Sequence, residues 1–309
     1  MTMPALFECV PNFSEGRRED VLEAIRSAAA VPGVSVLGME ADPDHNRAVL
    51  TLVGPAQPLM EAAFRAVRVA VERIDLRAHQ GTHPRIGAAD VVPFVPWERA
   101  GMEEAIRLAW QFGQRVADAL ALPVYLYGEA ARIPARRNLA HVRRGEFEGL
   151  AARMAQDPPD FGGAAPHPTA GAVAVGARRL LIAFNVYLTT TDVTIARRIA
   201  ERVRGSSGGL VGVKALGMHL ARQGRVQVSM NLVDYPTTPL PVALEMVRQE
   251  ASRWGVGIQE TEIVGFVPMA CMEDVARYYL QMPKFQRGKI LEVALASQEF
   301  DARDAEGDG

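Results

Sequence analysis

Apolar and polar residues in the first hundred positions follow two periods, which together predict an order of strands and helices. Short apolar or alternating runs bounded by turn residues are typical of strands, and they occur at residues 5–10, 34–40, 47–54 and 91–95. Apolar residues spaced three and four apart are typical of amphipathic helices, and they occur at residues 19–30 and 58–74. Turn residues at 41–45 predict a hairpin between the second and third strands. The predicted order of this half is β-α-β-β-α-β.

The same order returns in the second half of the chain. Strands are predicted at residues 180–188, 211–220, 225–233 and 257–267, with helices at 192–204 and 241–255. The halves are joined by a predicted helix at 101–120, a strand at 123–127 and a helical connection at 132–154. The repeated order is typical of the split βαβ, ferredoxin-like unit. We therefore predict an α+β fold of two related ferredoxin-like subdomains, residues 1–178 and 179–300, whose sheets face a central cleft, followed by an acidic tail at 301–309.

Composition limits the class of protein without indicating a chemistry. Apolar residues make up 49% of the 309 positions and charged residues 23%, the balance of a soluble globular protein. With 34 basic and 36 acidic residues the net charge is −2, so the chain has no global field to attract nucleic acid or an anionic membrane. Cys9 and Cys271 form no C-x-x-C pair, and the N-terminus lacks the pattern of a signal peptide. We expect a cytoplasmic protein.

Several local motifs give only weak indications of chemistry. Residues 205–209 fit the G-x-S-x-G nucleophile elbow, but they follow a predicted helix and precede a strand, the reverse of an elbow. His79 and His83 are four apart, yet Pro84 keeps them off the helix that an H-E-x-x-H metal site needs. Asp and His at 42–45 could ligate a metal, but these residue types also favour a plain turn. No phosphate-binding glycine motif occurs, which excludes kinase, ATPase and dehydrogenase classes.

Two connections carry more chemistry than a turn requires. Residues 77–90 read RAHQGTHPRIGAAD, in which Pro84 fixes the backbone beside His83, while Gly81 and Gly87 allow close approach to a ligand. An imidazole on such a rigid loop is suited to acid–base work. The second connection, residues 158–171, is long and rich in proline and glycine, and loops of this length are usually functional or disordered. We expect Phe161 in this arm to stack on a flat ligand ring.

A collinear set of motifs resembles the glutamate formiminotransferase family. The matching segments are ECVPNFSEG at 8–16, residues 42–47, HQGTHPRIGAADVVPF at 79–94, YLYGEA at 125–130, RGEFEGL at 144–150, DFG at 160–162, GARRLLIAFN at 176–185 and residues 228–234. They extend from Glu8 to about Pro268. The family's transferase also occurs fused to a cyclodeaminase domain. Since this chain ends before such a domain could begin, it resembles the free-standing form.

The resemblance implies transfer of the formimino group from N-formimino-L-glutamate to tetrahydrofolate, the co-substrate, in histidine degradation. It also implies a homodimer, folate held between two α/β subdomains, no metal, and a separate cyclodeaminase as a possible partner. The family's catalytic histidine corresponds to His83, and Glu40 takes the place of an aspartate that supports it. Arg47 and Arg85 are candidates for binding the glutamate carboxylates. The folate-binding segment comprises Gly162, Gly163, Ala164, Ala165, Pro166, His167, Pro168, Thr169, Ala170 and Gly171.

Three alternatives to formimino transfer stay open from the sequence. A relative on the same fold could instead transfer the formyl group between 5-formyltetrahydrofolate and glutamate. A folate-binding protein without turnover would not need an intact H-P-R loop around His83. A metal-dependent amidohydrolase would need a metal bound by His79 and His83. Gly163 stands where the family has a proline after D-F-G, which loosens the predicted folate segment.

Overall fold

Pro11 divides the first strand of the chain in two, because proline has no N–H to donate to a neighbouring strand. In this computed structural model, which describes residues 4–221 and 223–296, the two pieces are β1 (Phe7–Cys9) and β2 (Asn12–Phe13). Both pieces pair antiparallel with the same two neighbouring strands, so they act as one interrupted central strand. The predicted tail at 301–309 lies outside the described residues.

Apart from β7, which the sequence analysis does not predict, the remaining elements of the first half follow the predicted order. They are α1 (Glu19–Ala28), β3 (Ser35–Asp42), β4 (Arg47–Gly54), α2 (Ala56–Arg73), β5 (Ala89–Pro96), α3 (Met102–Leu120), β6 (Val124–Gly128), α4 (Leu139–Val142), α5 (Leu150–Met154) and β7 (Val173–Ala177). The helical connection predicted at 132–154 is mostly irregular, with α4, α5 and one 3-10 turn at Pro134–Arg137.

The seven strands of this half form one sheet in the spatial order β3, β4, β1 with β2, β5, β7, β6. The first four positions are antiparallel, whereas β7 runs parallel to both β5 and β6. Helices α1, α2 and α3 cover one sheet face, where Leu50, Leu52, Phe94 and Phe112 belong to the buried core. On the opposite face a second buried cluster, which includes Tyr125, Val142 and Leu150, packs α4 and α5 over part of the sheet. Polar side chains on the rest of that face can meet a ligand.

The second half builds a four-stranded sheet of its own. Its elements are β8 (Ile182–Leu188), α6 (Val193–Val203), β9 (Val213–Leu220), β10 (Arg225–Leu232), α7 (Leu240–Ser252), β11 (Ile258–Val264) and α8 (Met269–Tyr279). The spatial order is β11, β8, β10, β9, and all pairs are antiparallel. Gly205–Ser207 form a 3-10 turn after α6, and Gly208, which ends it, is in the left-handed region at φ +87°. This context is that of a helix-ending turn and not of a nucleophile elbow.

Contacts divide the chain into two compact units: the first extends to Leu180 and also includes Ala221 and Gln223, and the second comprises the other described residues from Leu181 onward. In each unit the first strand of the β-α-β-β-α-β order lies between the third and the fourth. Both cysteines are buried and unpaired. Among the described residues, none of the helices combines the length and the apolar character needed to cross a bilayer.

Candidate active site

The H-P-R loop, residues 77–88 between α2 and β5, is fastened to the C-terminal end of the proline- and glycine-rich arm. Three backbone hydrogen bonds join these two segments and the residues that directly flank them: Leu76 N–H donates to the Thr169 carbonyl at 2.8 Å, Ala88 N–H to Ala170 at 3.0 Å, and Ala172 N–H to Ile86 at 3.0 Å. Gly87 and Gly171 face each other in an isolated β-bridge. The two connections that the sequence singles out separately are therefore direct neighbours in space.

Glycine is required at both positions of this bridge by close approach of the backbones. A Cβ atom on Gly87 would lie 1.9 Å from the Ala172 carbonyl oxygen. A Cβ on Gly171, where φ is +69°, would lie 2.1 Å from the Ile86 carbonyl oxygen. Since both contacts are with backbone atoms, neither can be relieved by turning a side chain.

His83 is half-buried beside a cluster of cations. Burial and the positive charges of Arg47 and Arg143 hold the pKa of the imidazole well below its usual value. The ring of His45 meets it edge to face, with centroids 6.2 Å apart and planes at 84°. The imidazole of His83 is consequently neutral at neutral pH and can accept a proton.

Asp42 and His45 close the predicted hairpin turn between β3 and β4. Oδ1 of Asp42 accepts hydrogen bonds from the backbone N–H groups of Asp44 at 2.7 Å and His45 at 2.8 Å. Oδ2 lies 2.8 Å from Nδ1 of His45. Burial would raise the pKa of Asp42, but these hydrogen bonds lower it to about 2. Asp42 is thus a fixed negative charge that orients the histidine next to His83.

Glu40 lies two residues before Asp42 on β3, where it is exposed and its backbone is in register with Val49 of β4. The support of His83 by Glu40 stays a prediction. The carboxylate that the structure places against a histidine of this cluster is that of Asp42.

Arg47 and Arg143 are brought together from β4 and from the segment after α4. Burial lowers the pKa of Arg47 to about 10, and the charge of Arg143 lowers it in the same direction, while Asp90 and Asp42 oppose both effects. Nε of Arg143 donates to Oδ2 of Asp90 at 3.0 Å, and Oδ1 of Asp90 accepts from Ile86 N–H at 2.8 Å. Asp90 therefore ties Arg143 to the H-P-R loop. Two adjacent guanidinium groups make this part of the site attractive to carboxylates.

Arg85, the arginine of the H-P-R motif, is buried within a network of protein partners. Its guanidinium donates to both oxygens of Glu148, at 2.6 and 2.8 Å, and to Glu146 at 3.0 Å. Its Nε donates to Nδ1 of His79 at 3.2 Å, and Nε2 of His79 contacts the Asn46 carbonyl at 2.9 Å. Both ring nitrogens of His79 thus have protein partners. The binding of substrate by Arg85 stays a prediction, and an open cavity of about 510 Å³ lies beside this network.

The arm at 158–171 is anchored at its start and exposed in the middle. Oδ2 of Asp160 accepts from Leu126 N–H at 2.8 Å and from Arg136 at 2.6 Å. The Phe161 ring packs against Gly113 of α3, so closely that a Cβ built on Gly113 would lie 3.2 Å from the ring. The guanidinium of Arg132 lies 4.7 Å from the centroid of the Phe161 ring. Phe161 is packed into protein, which corrects the prediction that it stacks on a flat ligand ring.

The residues of the predicted folate segment divide into an exposed and a fixed part. Residues 162–165 are exposed, and nothing lies within 4 Å of a Cβ built on Gly163. Beyond them, His167 and Gly171 exchange two backbone hydrogen bonds of 2.8 and 3.0 Å. Nδ1 of His167 also accepts from Ala170 N–H at 3.1 Å. The loose part of the arm can adapt to a ligand, while the fixed part is held next to His83's loop.

Sequence reasoning did not single out Asp90 and Arg143 as functional residues, and it weighed His45 only as a possible metal ligand in a turn. Two of these three stand inside matched segments, His45 within 42–47 and Asp90 within 79–94. Arg143 directly precedes RGEFEGL. Charged residues directly beside a resemblance motif were therefore an available signal.

Comparisons with known proteins cover both units. Residues 6–178 match the family described as "Formiminotransferase domain, N-terminal subdomain", and residues 183–296 match "Formiminotransferase domain". The chain is 48% identical over 293 residues to a glutamate formimidoyltransferase of Thermoplasma acidophilum, covering 93% of this chain and 96% of that protein. It is 43% identical to one of Streptococcus pyogenes serotype M1, covering 94% and 98%. A formimidoyltransferase-cyclodeaminase of Rattus norvegicus is 41% identical, over 91% of this chain and 54% of that protein.

Proposed function

Because the chain belongs to the formiminotransferase family and transfers the formimino group of N-formimino-L-glutamate to tetrahydrofolate, we propose that His83 is its acid–base residue. The products are 5-formiminotetrahydrofolate and L-glutamate, which fits a step of histidine degradation. The observation that carries the proposal is the imidazole itself, which is half-buried, beside two arginines and held below its usual pKa. An imidazole must be neutral before it can take a proton, and the lowered pKa keeps the imidazole of His83 neutral at neutral pH.

The transfer needs one base and one acid in succession. N5 of tetrahydrofolate attacks the amidine carbon, a new C–N bond forms, and His83 takes the proton that N5 loses. The protonated imidazole then donates to the glutamate nitrogen, and the bond between that nitrogen and the amidine carbon breaks. The proton leaves with glutamate and His83 returns to its neutral form. One imidazole can serve both steps, because it is neutral before the first proton transfer and protonated before the second. Holding both substrates together lowers the barrier further.

Arg47 is the residue we propose for the donor's carboxylates, with Arg143 beside it. The Nε atom of Arg47 is buried and has no hydrogen-bond partner among the described residues. A carboxylate arriving there would be bound by charge-assisted hydrogen bonds. Glu40 and Arg85 remain candidates, the first for supporting His83 and the second for a carboxylate.

For folate we propose the exposed part of the arm, residues 162–165, together with the turn that continues to Gly171. The strand order of each unit, with the first strand between the third and fourth, supports two related ferredoxin-like subdomains at 1–178 and 179–300. We further propose that their sheets face a cleft that holds the substrates. We also propose that the protein is a cytoplasmic homodimer. It should need no metal and should have a separate cyclodeaminase as a partner.

The acid limb of the pH–rate profile tests the role assigned to the cations. In the native protein kcat/KM should fall only when the pH drops through the lowered pKa of His83, because the protonated imidazole cannot act as a base. Arg143→Gln removes one of the charges that lower this pKa, so the limb should move to higher pH. Arg143→Lys keeps the charge and should leave the limb near its native position. A limb that moves equally in both variants would contradict the electrostatic account.

The proposed activity is tested by measuring both one-carbon donors side by side. Purified protein is incubated with tetrahydrofolate and N-formimino-L-glutamate, or with 5-formyltetrahydrofolate and glutamate, and the folate products are separated. We expect 5-formiminotetrahydrofolate from the first pair. Turnover of the second pair alone would assign formyl transfer on the same fold, and turnover of neither would support a binding protein.

A further inference from the structure

The proposed mechanism does not use Glu8, although its carboxylate lies on the same sheet face as the site. It lies on β1, opposite Val53 of β4 and Val95 of β5. Its neighbours Phe7 and Cys9 point into the core, and since side chains alternate along a strand, Glu8 points to the opposite face. On β4 the same alternation puts Arg47 on that face, because Leu50 and Leu52 point into the core.

Within the described part of the chain, Arg178 is the charged residue that acts on Glu8. The side chain is half-buried; burial raises the pKa of its carboxyl, and the charge of Arg178 opposes this rise. Among residues 4–221 and 223–296, none donates a hydrogen bond to its two oxygens. A carboxylate partly withdrawn from water without donors is costly, so the arrangement is one that a ligand with N–H groups would complete.

Arg178 supplies a donor next to these two acceptors. It follows β7 directly, and it interacts with the phenol of Tyr127, which is itself buried. Its Nη1 donates to the Arg179 carbonyl at 3.0 Å. A guanidinium carries five N–H donors, so Arg178 can bind a further acceptor. Glu8 and Arg178 therefore present two acceptors followed by a donor.

Strand register separates Glu8 from the groups that act on His83. Glu8 is paired with Val53 of β4, six residues along that strand from Arg47, whose charge acts on His83. Arg178, which acts on Glu8, is not among the charges that act on His83. A ligand group held by Glu8 belongs to a part of the substrate that does not react.

We propose that Glu8 and Arg178 recognise the pterin ring of tetrahydrofolate by its 2-amino-4-oxo edge. The carboxylate would accept from the 2-amino group and from N3–H, and Arg178 would donate to the 4-oxo oxygen. This edge reads donor, donor, acceptor, which is the complement of the Glu8–Arg178 pair. The glutamate parts of both substrates are anionic and do not suit a carboxylate. The inference rests on the proposed function, because it takes tetrahydrofolate as the substrate.

Glu8→Gln tests the pair with little change in shape. We expect KM for tetrahydrofolate to rise at least about tenfold, since a site that pairs a substrate N–H loses that bond, while KM for formiminoglutamate changes by less than about twofold. Binding of 5-formyltetrahydrofolate, measured by titration, should weaken by a similar factor of about ten. Glu98→Gln, an exposed carboxylate after β5, is the matched control and should bind like the native protein.

An analogue with a methyl group in place of the 2-amino group identifies the contact. The native protein should bind this 2-desamino-2-methyl analogue more weakly than the parent folate. In the Glu8→Gln variant, the difference in affinity between the parent folate and the analogue should be much smaller. Arg178→Met is the second variant if Glu8→Gln fails to fold, and it should show the same selective loss for folate.

Native folate affinity in a folded Glu8→Gln protein would overturn the inference, and so would a rise in KM for formiminoglutamate alone. Either result leaves the proposed function standing, provided that the native protein makes 5-formiminotetrahydrofolate. If the native protein makes none, the proposed function fails, and the titrations still decide whether Glu8 binds the pterin.

Discussion

His83→Ala should lower kcat by on the order of 100-fold or more, because loss of a general acid–base group typically costs that much. The substitution removes both proton transfers at once, so KM for either substrate should change far less than kcat. The acid limb of the pH–rate profile should disappear together with the activity, because the group that titrates there is gone. Steady-state kinetics over a range of pH measures both effects.

The matched control is His219→Ala, which removes an exposed histidine from β9 in the other unit. It should retain native kcat. Circular dichroism and thermal melting should show that both variants fold, since His83 is only half-buried. A folded His83→Ala protein with native turnover would remove His83 from the mechanism.

Apolar or alternating runs bounded by turn residues were sufficient to predict most strands of the two sheets, including β5 and β8, which are buried at nearly every position. The strand 47–54 matches β4 residue for residue. β7 was not predicted, since a strand between two parallel neighbours is buried on both faces and shows no alternation. Helix α8 was also missed, and the helical connection at 132–154 was predicted as more regular than it is.

Only the residues of the candidate site that stand in a local sequence motif could be predicted. His83 stands in a recognisable H-P-R segment, but the charges that set its protonation come from Arg47 and from Arg143, which is 60 residues further along the chain. Such contacts depend on how the segments meet in space. Phe161 shows the reverse error, because a sequence cannot tell a ring that awaits a ligand from one packed against α3.

Local charge also departs from what the composition suggests. The net charge of −2 excludes a global field, yet Arg47 and Arg143 lie beside His83 with Asp90 and Asp42 as the opposing charges. Because Coulomb interactions strengthen as water is excluded, a few half-buried groups determine the protonation of His83. The composition of the whole chain does not.

Gly87→Ala should destabilise the protein by about 3 kcal/mol or more, a large effect that arises when a backbone contact has no room to relax. The added Cβ would stand 1.9 Å from the Ala172 carbonyl oxygen and 2.7 Å from that of Ala89. Moving the loop away would break its bonds to the arm, and also the bond from Ser14 Oγ to the Gly87 carbonyl at 2.7 Å. Denaturant unfolding measures the loss of stability, and kcat should fall as well, because the same loop carries His83.

Gly163→Ala is the matched control, since nothing lies within 4 Å of its new Cβ and Gly163 belongs to the arm that the loop of Gly87 contacts. Its stability should stay within about 0.5 kcal/mol of the native value, as for most surface substitutions. Gly171→Ala should destabilise the protein by an amount similar to Gly87→Ala. Its Cβ would lie 2.1 Å from the Ile86 carbonyl oxygen on the other side of the same bridge. Native stability and activity in both bridge variants would show that the two connections need not meet for the site to work.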